Sequence, residues 1–216
     1  EDLHIRLITI SDQSQFSQTN TCSTIPAKSS CPVTVTFTPM LPFGKKSAIM
    51  SISSDDIEKP AVNVKLSGQA PPPKISVSPM SVNSGSLPVG AESLNKILTV
   101  KNTGLSDLEI NSINITGTNA TEFIQKNDCT TPIPKGSSCT VNVRLLPTLP
   151  FGSKSAIMSI ASNDPKKPII NVKLSGEAPP PKISVSPTSV NFGSLPAGSL
   201  PLPKMFCPSL ARPLLS

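Results

Sequence analysis

Tryptophan and tyrosine are absent from the 216 residues, and seven Phe make up the whole aromatic content. Nucleic-acid grooves that stack successive bases on aromatic rings are therefore excluded, because the Phe fall in no RRM-like or OB-like pattern. The buried Trp and the tyrosine corner of antibody-type domains are excluded as well. His4 is the only histidine, which leaves little for Ser/His or Cys/His catalysis or for imidazole-rich metal sites. No uninterrupted apolar run reaches the roughly 18 residues that a membrane helix needs. The chain opens on Glu1 with no charged segment leading into an apolar one, so any export signal would lie outside these residues.

The formal net charge is +6 and the pI about 9.2. The lysines come singly or in pairs, as at Lys45 and Lys46 or Lys166 and Lys167, and are interleaved with acidic residues. This is the pattern of a solvated surface rather than of a nucleic-acid groove. What the chain has in quantity is proline, 25 of them, together with Ser, Thr, Val and Ile. Such a composition describes short extended segments joined by turns, and the ordered alternation of the aliphatic residues marks a folded chain.

The twelve residues LPFGKKSAIMSI beginning at Leu41 return as LPFGSKSAIMSI beginning at Leu149. In register with them, PAVNVKLSGQAPPPKISVSPMSVNSGSLPVG corresponds to PIINVKLSGEAPPPKISVSPTSVNFGSLPAG. The period is far longer than the 20 to 50 residues or so of a solenoid repeat, so each copy is expected to hold its own core. The phase of the repeat gives an incomplete first copy over 1–70, a proline-rich linker at 71–73 and a complete copy over 74–178. A second linker at 179–181 leads to the start of a third copy at 182–198, and a divergent tail at 199–216 is expected to be disordered.

Within the complete copy, Cys139, Val141, Val143 and Leu145 share one face of a strand, and Ala156, Met158 and Ile160 share a face of another. Ile110 and then Ile113 and Ile115 change phase, as a β-bulge would allow. The expected fold is all-β: tandem immunoglobulin-like β-sandwich domains of about seven strands each, with the first and third copies incomplete. Gly68 and Gly176 are expected to end the last strand of their copies, and the three prolines after them to form an extended polyproline spacer. A PxxP ligand for an SH3 or WW groove is the weaker reading, since the motif recurs at the junction itself.

Cys22 and Cys31 stand at the places that Cys129 and Cys139 occupy in the second copy. Structural disulfides are the first reading, with free buried thiols and a metal site as alternatives. Zinc is disfavoured because each pair offers two ligands and Glu109 stands where the first copy has His4. Bridging a ring of about ten residues would stabilise the fold by about 2.7 kcal/mol through the denatured chain, and would indicate an oxidising compartment. No catalytic, cofactor-binding or metal residues are expected. The acidic residues fall in loops such as SSDDIEKP and SNDPKKP, the latter read as a hairpin turn rather than a Ca²⁺ linker. Asn114 and Asn119 open glycosylation triplets.

The order of VNFGSLPAG, VKNTG, LEINSINITG, KGSSC, VRLLPTLPFGSKSAIMSIASNDP and VKLSGEA resembles Hydin-type, ASH-like immunoglobulin domains, and most of all the repeats of bacterial "choice-of-anchor D" surface proteins. The second copy departs from that pattern with VRLLP where the first has VTFTP, and with Ser84 where the third has Phe192. The resemblance implies a non-catalytic structural or binding module of an exported, multidomain cell-surface, adhesion-type or periplasmic protein, with no cofactor. Its partner would be an unidentified protein or surface polymer, with no nucleic acid and no membrane span in this segment. The alternative is an intracellular module that docks on ciliary or microtubule-associated structures. The first copy lacks its opening strands, and the third-copy segment is of the type it lacks, so self-association by strand donation is a further expectation.

Overall fold

Wherever the sequence alternates, the chain is extended. The computed structural model describes residues 1–198, 200, 203–204 and 209–211, the last three by their backbone. The first six strands are β1 (Leu3–Ile10), β2 (Phe16–Asn20), β3 (Thr24–Ile25), β4 (Val33–Phe37), β5 (Gly44–Ser54) and β6 (Ala61–Ala70). Then come β7 (Ile75–Ser78), β8 (Ser81–Ser86), β9 (Lys96–Asn102), β10 (Ile110–Thr116), a 3₁₀ turn (Ala120–Glu122) and β11 (Phe123–Asn127). The series closes with β12 (Ser138–Leu145), β13 (Gly152–Ser162), β14 (Ile169–Ala178), β15 (Lys182–Ser184) and β16 (Ser209–Ala211).

Strands β7 to β14 make two four-stranded sheets, ordered β10-β13-β14-β8 and β11-β12-β9-β7. Val100, Val141 and Val143 of one sheet and Met158, Val172 and Leu174 of the other belong to a single buried cluster, which is the core of a β-sandwich. The segment from Ile75 to Ser86 serves both sheets: β7 pairs antiparallel with β9, and β8 crosses over to pair parallel with β14. The phase change in β10 is a register shift between Ile110 and Ser112 against β13. The molecule is a tandem of such immunoglobulin-like units, the first and third of them incomplete.

Strands β1 to β6 repeat part of this plan, with one sheet ordered β3-β1-β5-β6 and a second made of β2 and β4. Counterparts of β7, β8 and β9 are missing from this first unit. Its buried cluster is correspondingly small, with Ile10, Phe16, Ala48 and Met50 at the centre. Of the third copy, Lys182–Ser184 pairs with Ser209–Ala211 in a short antiparallel ladder. The remainder of the expected disordered tail lies largely outside the described residues.

Gly68 and Gly176 do not end their strands, which run on to Ala70 and Ala178. Their lack of a side chain serves packing instead. A Cβ on Gly68 would fall 2.5 Å from the Phe37 ring, and one on Gly176 would collide with Leu145.

Candidate functional site

Three features concentrate the polar chemistry of the chain: two covalently closed loops, a hydrogen-bonded junction and a buried ion pair. Each loop is prepared in the same way. Asn20 Oδ1 accepts the Cys22 N–H at 2.9 Å, and Asn127 Oδ1 accepts that of Cys129 at 3.1 Å, so the Asn two positions upstream turns the chain towards its bridge. Cys22 is bonded to Cys31 with Cα atoms 5.6 Å apart, and Cys129 to Cys139 at 5.3 Å. The second bridge is buried and the first half-exposed.

Asp128 reinforces the second loop, accepting the Thr140 N–H at 2.6 Å and the Thr140 hydroxyl at 2.8 Å. These bonds, that of the backbone N–H foremost, hold its carboxyl below the ordinary carboxylate range. The first loop has Thr21 and Pro32 at the matching places and cannot form this clamp. Asp128, Cys129 and Cys139 bring ligand atoms within 4.8 Å of one another, but the two sulfurs are bonded to each other and the carboxylate is engaged with Thr140. His4 pairs with the first loop: its Nδ1 lies 3.1 Å from the hydroxyl of Thr24, between Cys22 and Cys31.

At the junction, Asn102 is fully buried at the end of β9. Its amide nitrogen donates to the carbonyls of Ser106 and Ile133, both at 2.8 Å, and its oxygen accepts the N–H groups of Gly104 and Lys74. The Ser106 hydroxyl and the Leu105 N–H reach the Pro71 and Pro72 carbonyls, so the proline spacer is fastened to the second unit. Gly104 is required there, since a Cβ would fall 2.6 Å from Pro73 Cα. Asp164 of SNDPKKP is buried in the β13–β14 hairpin; one oxygen caps Lys166 and Lys167, and the other accepts the Ile75 N–H at 2.9 Å. Asp56 caps Glu58 and Lys59 in the same way, but the first unit has no counterpart of β7 for its second oxygen.

Lys154 points inward from β13. Its ammonium donates to Glu122 at 3.0 Å, to the Thr148 carbonyl at 2.6 Å and to the Pro150 carbonyl at 2.9 Å. Burial pushes the Glu122 carboxyl up, but the Thr148 N–H, Lys154 and Asn119 together outweigh it and leave it below the ordinary range. Asn119 also accepts the Ser155 N–H, so its amide is committed to the fold, whereas Asn114 is exposed on β10. Sequence reasoning singled out the cysteines and missed Asn102, Glu122, Lys154 and Asp164. The available signal was parity, because Lys154 stands in phase with Ala156 and Met158.

Residues 73–177, just under half of the chain, match the family model of the HYDIN/CFA65/VesB-like, Ig-like domain. No curated protein matches the sequence. Among solved structures, a protein of unknown function from Porphyromonas gingivalis W83 is similar at 18% identity, covering 82% of this chain and 84% of that one, with a TM-score of 0.42. The ASH/PapD-like domain 7 of human CEP192 is similar at 16% identity over 50% of this chain and 86% of that one, with a TM-score of 0.37. The VesB protease of Vibrio cholerae is similar at 15% identity over 48% of this chain and 32% of its own, with a TM-score of 0.39. Among the described residues, no helix is long and apolar enough to cross a membrane.

Proposed function

We propose that the chain is a non-catalytic structural and binding segment of an exported, multidomain protein displayed at a cell surface or in a periplasm, of the "choice-of-anchor D" kind that its motifs resemble. The observation that carries this reading is the covalently closed loop at the same place in both units. Disulfides persist in oxidising compartments and are uncommon where thiols are kept reduced. The buried ionisable groups support a building role: Glu122, Lys154 and Asp164 are each engaged by neighbouring backbone or by one another. The proline spacer bonded to the second unit adds a reason for tandem use, since it sets one unit against the next.

Thiol labelling tests the reading on protein taken from its native cells without reductant. Protection of Cys22, Cys31, Cys129 and Cys139 from a maleimide until reductant is added is the expected result. Reaction of all four before reduction would overturn it and favour an intracellular module on ciliary or microtubule-associated structures, a reading the HYDIN-type family match supports.

A further inference from the structure

The polar cluster around Lys154 brings together three side chains whose chemistry an ion pair does not exhaust. Glu122 Oε1 accepts from Lys154 Nζ at 3.0 Å and from Asn119 Nδ2 at 2.9 Å, so one carboxylate oxygen touches both an amine and a carboxamide. The two nitrogens therefore lie within about 6 Å of each other. At its other end, Asn119 Oδ1 accepts the Ser155 N–H at 3.0 Å. That bond fixes which end of the amide faces Glu122, and it places a backbone donor on the carbonyl oxygen. Lys154 and Glu122 are buried and Asn119 is half-buried, so the amine and the carboxylate are screened from water.

We propose that Lys154 and Asn119 join in an amide bond, formed by the protein on itself with Glu122 as the proton relay. Lys154 passes a proton to Glu122, which leaves a neutral amine beside a neutral acid; a low-dielectric site favours the loss of two charges. The amine then attacks Cγ of Asn119, and the Ser155 N–H holds the negative charge that develops on Oδ1. Attack requires approach to about 3 to 3.5 Å, which rotation of the long lysine stem supplies. Glu122 relays two protons in all from Nζ to Nδ2, the bond between Cγ and Nδ2 breaks, and ammonium leaves. Lys154 keeps one proton as the new amide N–H, and Glu122 ends as the carboxylate it began as. No oxidant or reductant takes part. The ion pair is the state from which the bond forms.

The first unit carries its own control. Lys46, Asp12 and Gln15 stand there at the places of Lys154, Asn119 and Glu122, so carboxamide and carboxylate have changed places. Gln15 donates to Asp12 at 3.1 Å and cannot take a proton from an amine, so Lys46 stays free. In the second unit the bond ties β13 of one sheet to the 3₁₀ turn from which the chain enters β11 of the other. It staples the two layers together, which goes beyond the structural role proposed above and requires no particular compartment.

Intact mass spectrometry of the 216-residue protein, held at neutral pH with both disulfides closed, tests the proposal. The mass is expected to fall below that of the disulfide-closed sequence by one ammonia, about 17 Da. Tryptic digestion of the denatured protein is expected to leave the chain uncut after Lys154 and to yield residues 102–126 joined to residues 145–166 as a branched peptide. Cleavage after Lys46 is expected to proceed. Glu122→Gln and Lys154→Arg are expected to show their full masses. The first keeps the acceptor that Gln15 supplies in the first unit, and the second keeps the cation without a nucleophilic amine. Wild-type protein at its full mass, cleavage after Lys154, or a loss that persists in either variant would overturn the proposal. So would a loss that maps to a succinimide at an asparagine, which also expels ammonia but leaves no branched peptide. Thiol protection and this mass difference are read on different residues, so either reading can fail while the other stands.

Discussion

Lys154 and Glu122 face each other across the second unit as an ion pair, Nζ to Oε1 at 3.0 Å, with 1% and 7% of their side chains exposed. The first unit carries Lys46 and Gln15 at the corresponding positions, and the Met40 N–H donates to Gln15 as the Thr148 N–H donates to Glu122. The acceptor to the LPFG turn is thus kept in both units, while the buried charge pair belongs to one.

Removing the cation alone leaves a buried carboxylate facing two carbonyls. Lys154→Met is expected to cost about 3 to 5 kcal/mol, and Glu122→Gln less, because Gln15 already fills that place in the first unit. The pH dependence follows from the depressed Glu122 carboxyl. Its contribution is complete above the unfolded value of about 4.3 and is lost as pH falls through the lower folded value. Calorimetry is expected to show the wild-type unfolding temperature falling below about pH 4. Glu122→Gln should flatten that fall, with a remaining slope from Asp12, Asp55 and Asp128, whose carboxyls are depressed in the same direction.

The two bridges are expected to open in order. Cys129 and Cys139 are 8% and 7% exposed, whereas the first bridge is half-exposed and lacks the Asp128 to Thr140 clamp. Limited reductant followed by alkylation and peptide mass mapping should label Cys22 and Cys31 first. Each opened loop of about ten residues should lower stability by about 2.7 kcal/mol on the loop-entropy account.

Ser84 Oγ is the one buried side-chain polar atom among the described residues without a hydrogen-bond partner. An unsatisfied hydroxyl costs about 1 to 3 kcal/mol, so Ser84→Ala is expected to stabilise the second unit by about 1 kcal/mol. Thermal unfolding should shift upward by about 4 °C for a unit of this size. An unchanged or lowered midpoint would show that the hydroxyl is satisfied in solution.

Much of the fold was legible because the strands are half-buried. In β12 each apolar residue alternates with a polar one, and period two can be read without knowing the partner strand. The repeat then carried the reading across the chain, and the break in phase between Ile110 and Ile113 marked the bulge against β13. What was illegible depends on residues far apart in sequence. Lys154 in phase with Ala156 and Met158 makes sense only beside Glu122, 32 positions earlier. Asn102 reads as a turn signal in NTG, yet it is a buried hub whose partners include Lys74 and Ile133. Gly176 reads as a strand end, because the Leu145 side chain that demands it comes from the other sheet.

The two long hairpins give the sharpest contrast between the units. Strands β5 and β6 share ten paired positions, as do β13 and β14, so the ladders themselves do not distinguish the copies. The side chains beneath them do: nineteen buried residues form the second cluster and four the first, and Val64 is exposed where Val172 is sealed. Amides exchange through local opening when few apolar contacts must be broken, and through global unfolding when the core must be lost. Amides of β13 and β14 are expected to exchange at least tenfold more slowly than those at the matching positions of β5 and β6. Hydrogen exchange read by mass spectrometry compares the two hairpins within one molecule. Equal protection would mean that the first unit opens no more readily than the second despite its smaller buried cluster.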